Sequence, residues 1–313
     1  MNELISHTSW MRDIPDDTPV TGLSIPGTHN SGCADGPLGF AQTQDLDLPD
    51  QLDAGIRFLD IRLALCEDNL FVHHDVVYMD KSYTDVLAIC SSFLEKYPSE
   101  TLLMSINDES RVDSGLGRFA PSEILGKLSR GDTTSRDRNV SFEDTFRAKT
   151  LEYLEKTPLY YNFAAHLDTS ATPTPGFTPE TTLGDVRGKI ILLRRFEGGE
   201  DVGFDLTYWP ENQNFRSATS PMYIVHDCYL GLEDGEKYEL IIAHLEEAKS
   251  GDPKDLYITF SSAVDVKARG FAETINPRLD DYLAGSPKDR VGIIVMDYFE
   301  QPRELVSNVI KMN

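Results

Sequence analysis

Eight short runs rich in aliphatic and β-branched residues recur along this chain of 313 residues. Several runs are almost continuously apolar, which is typical of strands buried on both faces of a parallel sheet. Helical patterns lie between some of them, and this alternation predicts an α/β fold, a single irregular, distorted (β/α)8 barrel of the TIM type. The runs are Gly22–Ile25, Ile56–Leu63, Leu70–Val72, Thr101–Ile106, Lys189–Leu193, Met222–Val225, Leu256–Phe260 and Gly292–Met296.

The connections between the runs are uneven. Apolar periodicity predicts helices over Tyr83–Tyr97, Tyr238–Lys249 and Arg303–Lys311. The link from Leu63 to Leu70 holds only a turn, so the barrel cannot be regular there. Residues 111–179 are polar and rich in Ser, Thr, Pro and Arg, and we expect a long excursion from the barrel. No domain boundary is evident, and barrels of about 250 residues are single domains, so residues 1–313 are expected to form one domain.

Charge and composition exclude several classes of protein. A formal net charge of −23 argues against nucleic-acid binding and against a lasting hold on anionic lipid. No stretch reaches the ~20 apolar residues of a membrane span, so we expect a soluble protein. The N-terminal residues show no signal-peptide pattern, and we expect a secreted, extracellular protein whose signal peptide has been removed. The negative charge is compatible with an extracellular enzyme, and an acidic surface that serves only solubility is the alternative explanation of that charge.

The cysteines give no sign of a metal site. Cys33, Cys66, Cys90 and Cys228 show neither a CxxC motif nor zinc-ligand spacing. Buried free thiols are favoured, with one or two disulfides as the alternative.

Polar and charged residues follow almost every predicted strand. Pro26 and Gly27 are expected to break the first strand, which leaves His29 and Asn30 at its end. A histidine pair, His73-His74, follows another run. The carboxyl ends of barrel strands converge on one mouth, where two imidazoles could act as base and acid in one reaction. The other residues at these strand ends are Asp60, Arg62, Asn107, Asp108, Glu109, Arg194, Arg195, Asp227, Tyr229 and Asp297.

The motifs around these residues resemble those of a known family. The matching segments run in order along essentially the whole chain, and they include SIPGTHNSG at Ser24–Gly32, GIRFLDIRL at Gly55–Leu63 and VHHDVVY at Val72–Tyr78. The chain resembles the bacterial phosphatidylinositol-specific phospholipases C, which are related to the catalytic X region of the eukaryotic enzymes. The resemblance implies a distorted barrel and a two-step reaction. The inositol 2-hydroxyl attacks phosphorus to give diacylglycerol and inositol 1,2-cyclic phosphate, and water then opens the ring to inositol 1-phosphate.

The resemblance also implies roles for individual residues. His29 corresponds to the general base, and Asp297 to the carboxylate that orients its imidazole. His74 corresponds to the acid that protonates the leaving glycerol oxygen, with Asp60 near it. His73 is the rival for the acid role.

A further set of strand-end residues matches positions that bind the inositol ring. The matching residues are Glu109, Arg195 or its neighbour Arg194, Asp227 and Tyr229. Tyr229 is expected to stack on a face of the ring. The charged members are expected to bind vicinal hydroxyls.

The sequence offers two candidates for the group that stabilises the phosphate, a calcium ion and Arg62. Arg62 stands at the arginine position of metal-free relatives, but Asn30 replaces the aspartate that would pair with it, and Asn107 stands where a lysine is usual. Hard oxygen ligands then remain, and calcium takes about 6–8 of these. The sequence favours calcium over Arg62 acting alone. The expected ligands are Asn30, Asp60, Asn107 and Glu109.

Two other functions are weighed against this one. A glycerophosphodiester phosphodiesterase is the nearest alternative, although the chain lacks the His-Arg dipeptide of that family. A non-catalytic barrel that binds inositol lipids is the second. For the favoured function we expect a monomer that meets an inositol phospholipid transiently at a membrane surface. Trp10 and Trp209 are candidates for the membrane contact, with packing inside the fold as the alternative.

Overall fold

The computed structural model describes residues 7–34, 41–66, 68–75, 77–110, 141–154, 159–163, 176–263 and 268–313. In these ranges a curled, mostly parallel sheet runs in the order β7-β6-β5-β2-β1-β11-β10-β9-β8. The strands are β1 (Ile25–Thr28), β2 (Phe58–Cys66), β3 (Asn69–His74), β4 (Val77–Ser82), β5 (Leu102–Asp108), β6 (Ile190–Arg195), β7 (Phe204–Asp205), β8 (Asn214–Arg216), β9 (Tyr223–His226), β10 (Leu256–Phe260) and β11 (Ile293–Met296).

Helices cover the outside of the curled sheet. Two of them begin with side-chain caps: the Ser82 side chain and Asp85 form a capping box at the start of α2, and Asp47 caps α1. The helices are α1 (Leu48–Ala54), α2 (Tyr83–Lys96), α3 (Phe142–Leu154), α4 (Leu183–Val186), α5 (Asp234–Ser250), α6 (Ala268–Gly285) and α7 (Leu305–Ile310), with 3-10 turns at Trp10–Asp13 and Val20–Gly22.

The sheet is buried on both faces, as its apolar runs predict. Leu103 packs in the cluster that also holds Phe58, Ile258 and Val295, whereas its neighbour Met104 packs in the separate cluster shared with the helices. Successive strand residues therefore point alternately into the barrel and towards the helices. The expected distorted barrel of the TIM type is confirmed.

The predicted break at Pro26-Gly27 was wrong, since both residues lie within β1. Pro26 lacks an N–H, but its carbonyl accepts a hydrogen bond from the Arg57 amide at 2.9 Å. A Cβ on Gly27 would lie 2.8 Å from the Phe58 side chain. The glycine therefore allows β1 to lie close to β2 instead of ending the strand.

The run Leu70–Val72 is not a parallel barrel strand. It lies in β3, which pairs antiparallel with β2 and with β4. A link this short can join only antiparallel strands. Val72 lies opposite Leu63, and β3 runs antiparallel to β2. The end of β3 therefore places His74 near Arg62 of β2.

Part of the predicted excursion at 111–179 packs onto the barrel. Phe146 of α3 is fully buried in the main core. The Tyr83 hydroxyl is hydrogen bonded to Thr150 at 2.9 Å and to Tyr160 at 2.8 Å. Residues 111–140, 155–158 and 164–175 lie outside the described residues. That the whole chain forms one domain stays a prediction.

Two further expectations concern the whole chain. All four cysteines are free thiols, as expected, but only Cys33 and Cys90 are buried, whereas Cys66 and Cys228 are partly exposed. Within the described ranges, no helix combines the length and the apolar character that a bilayer span requires.

The buried ion pair between Arg57 and Glu100 generates a stability prediction. Both side chains are fully buried, and their shortest N–O distance is 2.9 Å. Glu100→Gln leaves the guanidinium charge uncompensated, and we expect a loss of about 3–5 kcal/mol in the free energy of unfolding, measured with urea. Glu180→Gln is the matched control, because its pair with Lys254 is exposed on both sides; its loss should stay below about 1 kcal/mol. Similar losses for the two variants would contradict the argument.

Candidate active site

His29 and Asp297 form a hydrogen-bonded pair at adjacent strand ends. β1 and β11 are parallel neighbours, with Thr28 opposite Met296, so the next residue on each strand faces the other. His29 Nδ1 lies 2.8 Å from Asp297 Oδ1, and Asp297 is almost fully buried. The expected orienting contact is therefore present.

The other nitrogen of the His29 ring defines the protonation state of the pair. Arg62 Nη2 lies 3.0 Å from His29 Nε2, and a guanidinium can only donate a hydrogen bond. Nε2 is therefore the acceptor, and Nδ1 carries the proton that is donated to Asp297. A neutral histidine in this tautomer presents a basic lone pair to the barrel mouth.

Asp60 lies fully buried at the centre of the site. Its Oδ2 accepts from Arg62 at 3.3 Å and from the Asn30 amide at 3.2 Å. Arg195 Nη1 lies 3.6 Å from Oδ1, which is an ion pair without a hydrogen bond. Burial alone would raise the pKa of Asp60, but the Arg62 and Arg195 guanidiniums outweigh it and hold that pKa below its usual value.

Glu109 holds the other side of the Arg62 guanidinium. Its Oε1 accepts from Arg62 Nη1 at 3.1 Å, and its Oε2 accepts from the Asp75 amide at 2.7 Å. Burial raises the pKa of Glu109, with Arg62 acting in the opposite direction. Arg62 is therefore clamped between two carboxylates while it points at His29.

The structure places His74, and not His73, at this site. His74 Nδ1 donates to the Ala41 carbonyl at 2.8 Å, so Nε2 of the neutral ring is unprotonated. Burial lowers the pKa of His74 to about 4, and the charges of Arg62 and His29 act in the same direction. His73 instead packs beside Tyr78, with ring centroids 5.9 Å apart.

One wall of the site is built around Trp209. Its ring lies 3.7 Å beneath the Arg195 guanidinium carbon, and its Nε1 donates to Asp227 Oδ2 at 2.8 Å. Arg195 Nε and Nη1 have no hydrogen-bond partner among the described residues. Burial raises the pKa of the Tyr229 hydroxyl. The charge of Asp227 acts in the same direction, and that of Arg195 in the opposite one. Trp209 thus holds two of the predicted substrate-binding residues.

Calcium binding stays a prediction, and two of its four expected ligands are paired with an arginine. The Arg62 guanidinium already bonds to both Asp60 and Glu109, so a fixed cation neutralises these carboxylates. In the described part of the chain, no three His, Cys, Asp or Glu side chains converge as metal ligands. Asn30 adjoins Asp60 through its backbone amide, and Asn107 lies opposite Arg62 in the sheet register. We derive no step through calcium.

Sequence reasoning missed two positioning residues. Gln44 is fully buried, and its Nε2 donates to the His29 carbonyl at 2.8 Å and to the Met296 carbonyl at 2.9 Å, across β1 and β11. Trp209 was considered for membrane contact or for packing inside the fold, and not for a role in the site. Neither residue lies in a strand run or a motif, so no local signal marks it.

The remaining tryptophan and histidines pack inside the fold. Trp10 Nε1 donates to the Gly55 carbonyl at 2.9 Å. His7 is hydrogen bonded to Ser307 at 2.7 Å, and His244 to Thr259 at 2.8 Å. His166 lies outside the described residues. These contacts give His7 and His244 structural roles.

The fold and the site together define an acid–base centre built for an anion at the mouth of a distorted barrel. Residues 17–119 match the family model for the phosphatidylinositol-specific phospholipase C X domain. The chain is 28% identical to 1-phosphatidylinositol phosphodiesterase of Listeria monocytogenes, over 99% of this chain and 86% of the relative. These matches agree with the resemblance to the phosphatidylinositol-specific phospholipases C that the motifs indicate.

Solved structures show the same resemblance. The phosphatidylinositol-specific phospholipase C of Listeria monocytogenes matches with a TM-score of 0.68 and 27% identity, over 99% of each chain. The enzyme of Staphylococcus aureus, in a structure concerned with modulation of its membrane binding, matches with a TM-score of 0.77 and 26% identity, over 98% of each chain.

The geometry predicts the tautomer of His29. In the neutral ring the proton should reside on Nδ1, because Asp297 accepts there and Arg62 donates to Nε2. Nitrogen NMR of the two ring nitrogens measures this directly. Asp297→Ala should shift the proton population towards Nε2, whereas Asp227→Ala, which removes another strand-end carboxylate, should not. A ring protonated at Nε2 in the unsubstituted protein would contradict the geometry.

Proposed function

We propose that this protein cleaves phosphatidylinositol as a phosphatidylinositol-specific phospholipase C, a phosphoric diester lyase that then acts as a hydrolase. The products of the first step are diacylglycerol and inositol 1,2-cyclic phosphate, and of the second, inositol 1-phosphate. The observation that carries the proposal is the His29–Asp297 pair, whose unprotonated Nε2 accepts from Arg62, with His74 in the same site. The names of the full-length relatives support it.

His29 acts as the base of the first step. Its Nε2 takes the proton of the inositol 2-hydroxyl as that oxygen attacks phosphorus, and Asp297 stabilises the imidazolium that forms. Arg62 must release Nε2 when the substrate binds. When the guanidinium of Arg62 moves from the imidazole to the phosphate of the substrate, Nε2 of His29 becomes free to accept a proton.

His74 acts as the acid. As the bond from phosphorus to the glycerol oxygen breaks, that oxygen takes a proton from His74 and leaves as diacylglycerol. In the free protein His74 is neutral at neutral pH, because burial lowers its pKa to about 4. The negative charge of a bound phosphodiester raises this pKa, so substrate binding favours the protonated form of His74. In the second step the roles reverse, since His74 takes a proton from water and His29 returns one to the 2-oxygen.

Arg62 is proposed as the cation that stabilises the phosphorane. It is already aimed at the site by Asp60 and Glu109, so little reorganisation is needed. Both carboxylate oxygens of Glu109 are engaged, and we assign it the positioning of Arg62 instead of a contact with a ring hydroxyl. Arg195, Asp227 and Tyr229 keep their expected roles at the inositol ring.

The substrate lies in a membrane, so contact with a lipid surface is part of the proposal. The net charge of −23 favours a transient contact. Among the described residues the exposed large hydrophobic side chains are Tyr208 and Leu230, and each directly adjoins a residue of the site in sequence. We propose these two for the lipid contact in place of Trp10 and Trp209. Secretion and a monomeric state stay predictions.

The reaction predicts a defined product and a defined set of inactive variants. With phosphatidylinositol vesicles, phosphorus NMR should detect inositol 1,2-cyclic phosphate first and inositol 1-phosphate later. His29→Ala and His74→Ala should each lower the rate on the order of 10²–10⁴-fold, because each removes a proton-transfer group. His73→Ala is the matched control from the same strand, and its rate should change little.

Other outcomes would identify the alternatives. Glycerol phosphate as the phosphorus product would indicate a glycerophosphodiester phosphodiesterase. Vesicle binding without any cleavage by the unsubstituted protein would indicate a lipid-binding barrel.

The assignment of Arg62 predicts independence from calcium. Turnover should persist in excess EGTA, and Arg62→Met should lower kcat by about 10²–10³-fold, as expected for the loss of a preorganised donor to the transition state. Arg216→Met, a change of the same kind at an exposed arginine of the sheet edge, serves as control. Loss of activity in EGTA that added calcium restores would reverse the assignment.

A further inference from the structure

Lys237 lies in the first turns of α5 and is fully buried beneath the site. Burying an ammonium group is costly unless hydrogen bonds compensate for the lost water. In the described part of the chain, no carboxylate lies within ion-pair distance of its Nζ. A lysine in this position therefore needs another explanation than a salt bridge.

The Lys237 ammonium uses its three donors on three acceptors at two strand ends. Nζ lies 2.7 Å from the Phe260 carbonyl, 2.7 Å from the Cys228 carbonyl and 3.1 Å from His226 Nε2. Phe260 ends β10, and His226 ends β9. One side chain therefore joins the carboxyl ends of two neighbouring strands.

His226 is held in the form that this contact requires. Its Nδ1 donates to Asn214 Oδ1 at 2.6 Å, so Nε2 accepts from Lys237. Burial, reinforced by the Lys237 charge, lowers the pKa of His226 to about 2, and the ring stays neutral. Burial also lowers the pKa of Lys237 to about 8, against the attraction of Asp227 and Asp297.

The residues tied by Lys237 form the walls of the site. Asp227 lies between His226 and Cys228, the two residues of its segment that accept from the ammonium. The Phe260 ring packs edge-on against the His29 ring, with centroids 6.0 Å apart, and against the Trp209 ring at 5.9 Å. Any shift of these two strand ends would move Asp227 and the rings beside it.

We propose that Lys237 is a positioning residue, whose buried ammonium joins the ends of β9 and β10 and so holds Asp227 and Phe260 where the inositol ring is bound. The inference rests on the proposed function, because its expected effect is on substrate binding. It concerns a residue that does not touch the substrate.

Lys237→Met keeps the length of the side chain and removes the charge and all three donors. We expect KM for phosphatidylinositol and the Kd for myo-inositol to rise about tenfold, with kcat changed less than about threefold. A merely structural role would lower the fraction of folded enzyme and leave both constants unchanged. Lys249→Met, in the same helix but bonded to Glu246 and Tyr282, is the matched control and should alter neither constant.

A readout without catalysis separates this inference from the proposed function. The chain has two tryptophans, so Trp10→Phe isolates the emission of Trp209, which is bonded to Asp227. Adding Lys237→Met should shift this emission, and adding Lys249→Met should not. Lack of cleavage by the unsubstituted protein would refute the proposed function alone.

A second substitution covers poor folding of the first. Lys237→Gln keeps two donors and should give constants between those of Lys237→Met and the unsubstituted protein. Unchanged KM, Kd and Trp209 emission in a folded variant of either kind would overturn the inference.

Discussion

The fully buried carboxylate of Asp60 is the constraint on which the rest of the site depends. A charge removed from water must be compensated by opposite charge and hydrogen bonds. Arg62, Arg195 and the Asn30 amide provide this compensation from three different segments. The consequence is two guanidinium groups at the mouth of the barrel, and Arg195 keeps donors without a hydrogen-bond partner among the described residues. The electrostatic character of the site thus follows from the cost of burying one aspartate.

A second requirement comes from the ends of parallel strands, where carbonyl groups lose their partners in the sheet. Buried side chains serve these carbonyls here. Gln44 joins β1 to β11 and thereby fixes the His29–Asp297 pair, and Lys237 joins β9 to β10 beside Asp227. The groups that satisfy the backbone are thus also the groups that set distances between catalytic and binding side chains.

The apolar runs were enough to predict the barrel, because strands buried on both faces must be apolar throughout. The strand-end residues His29, Asp60, Arg195 and Asp297 were also predictable, since parallel strands bring their carboxyl ends together. The direction of β3 could be inferred from the short link before it, but an expectation of eight equivalent strands concealed it. The role of Trp209 could not be predicted, because it depends on contacts with Arg195 and Asp227 that are remote in sequence.

Asn30 acts on the site in a different way from the one that its motif position suggests. An asparagine in place of an aspartate seemed to free oxygen ligands and to deprive Arg62 of its partner. In the fold Asn30 acts on the site through its backbone amide, and its side-chain atoms have no hydrogen-bond partner among the described residues. Arg62 is instead paired with Asp60 of its own strand and with Glu109, which follows the neighbouring strand β5. The total negative charge around the Arg62 guanidinium determines how well it is compensated. A carboxylate next to a neighbouring strand can therefore replace the one that is missing at Asn30.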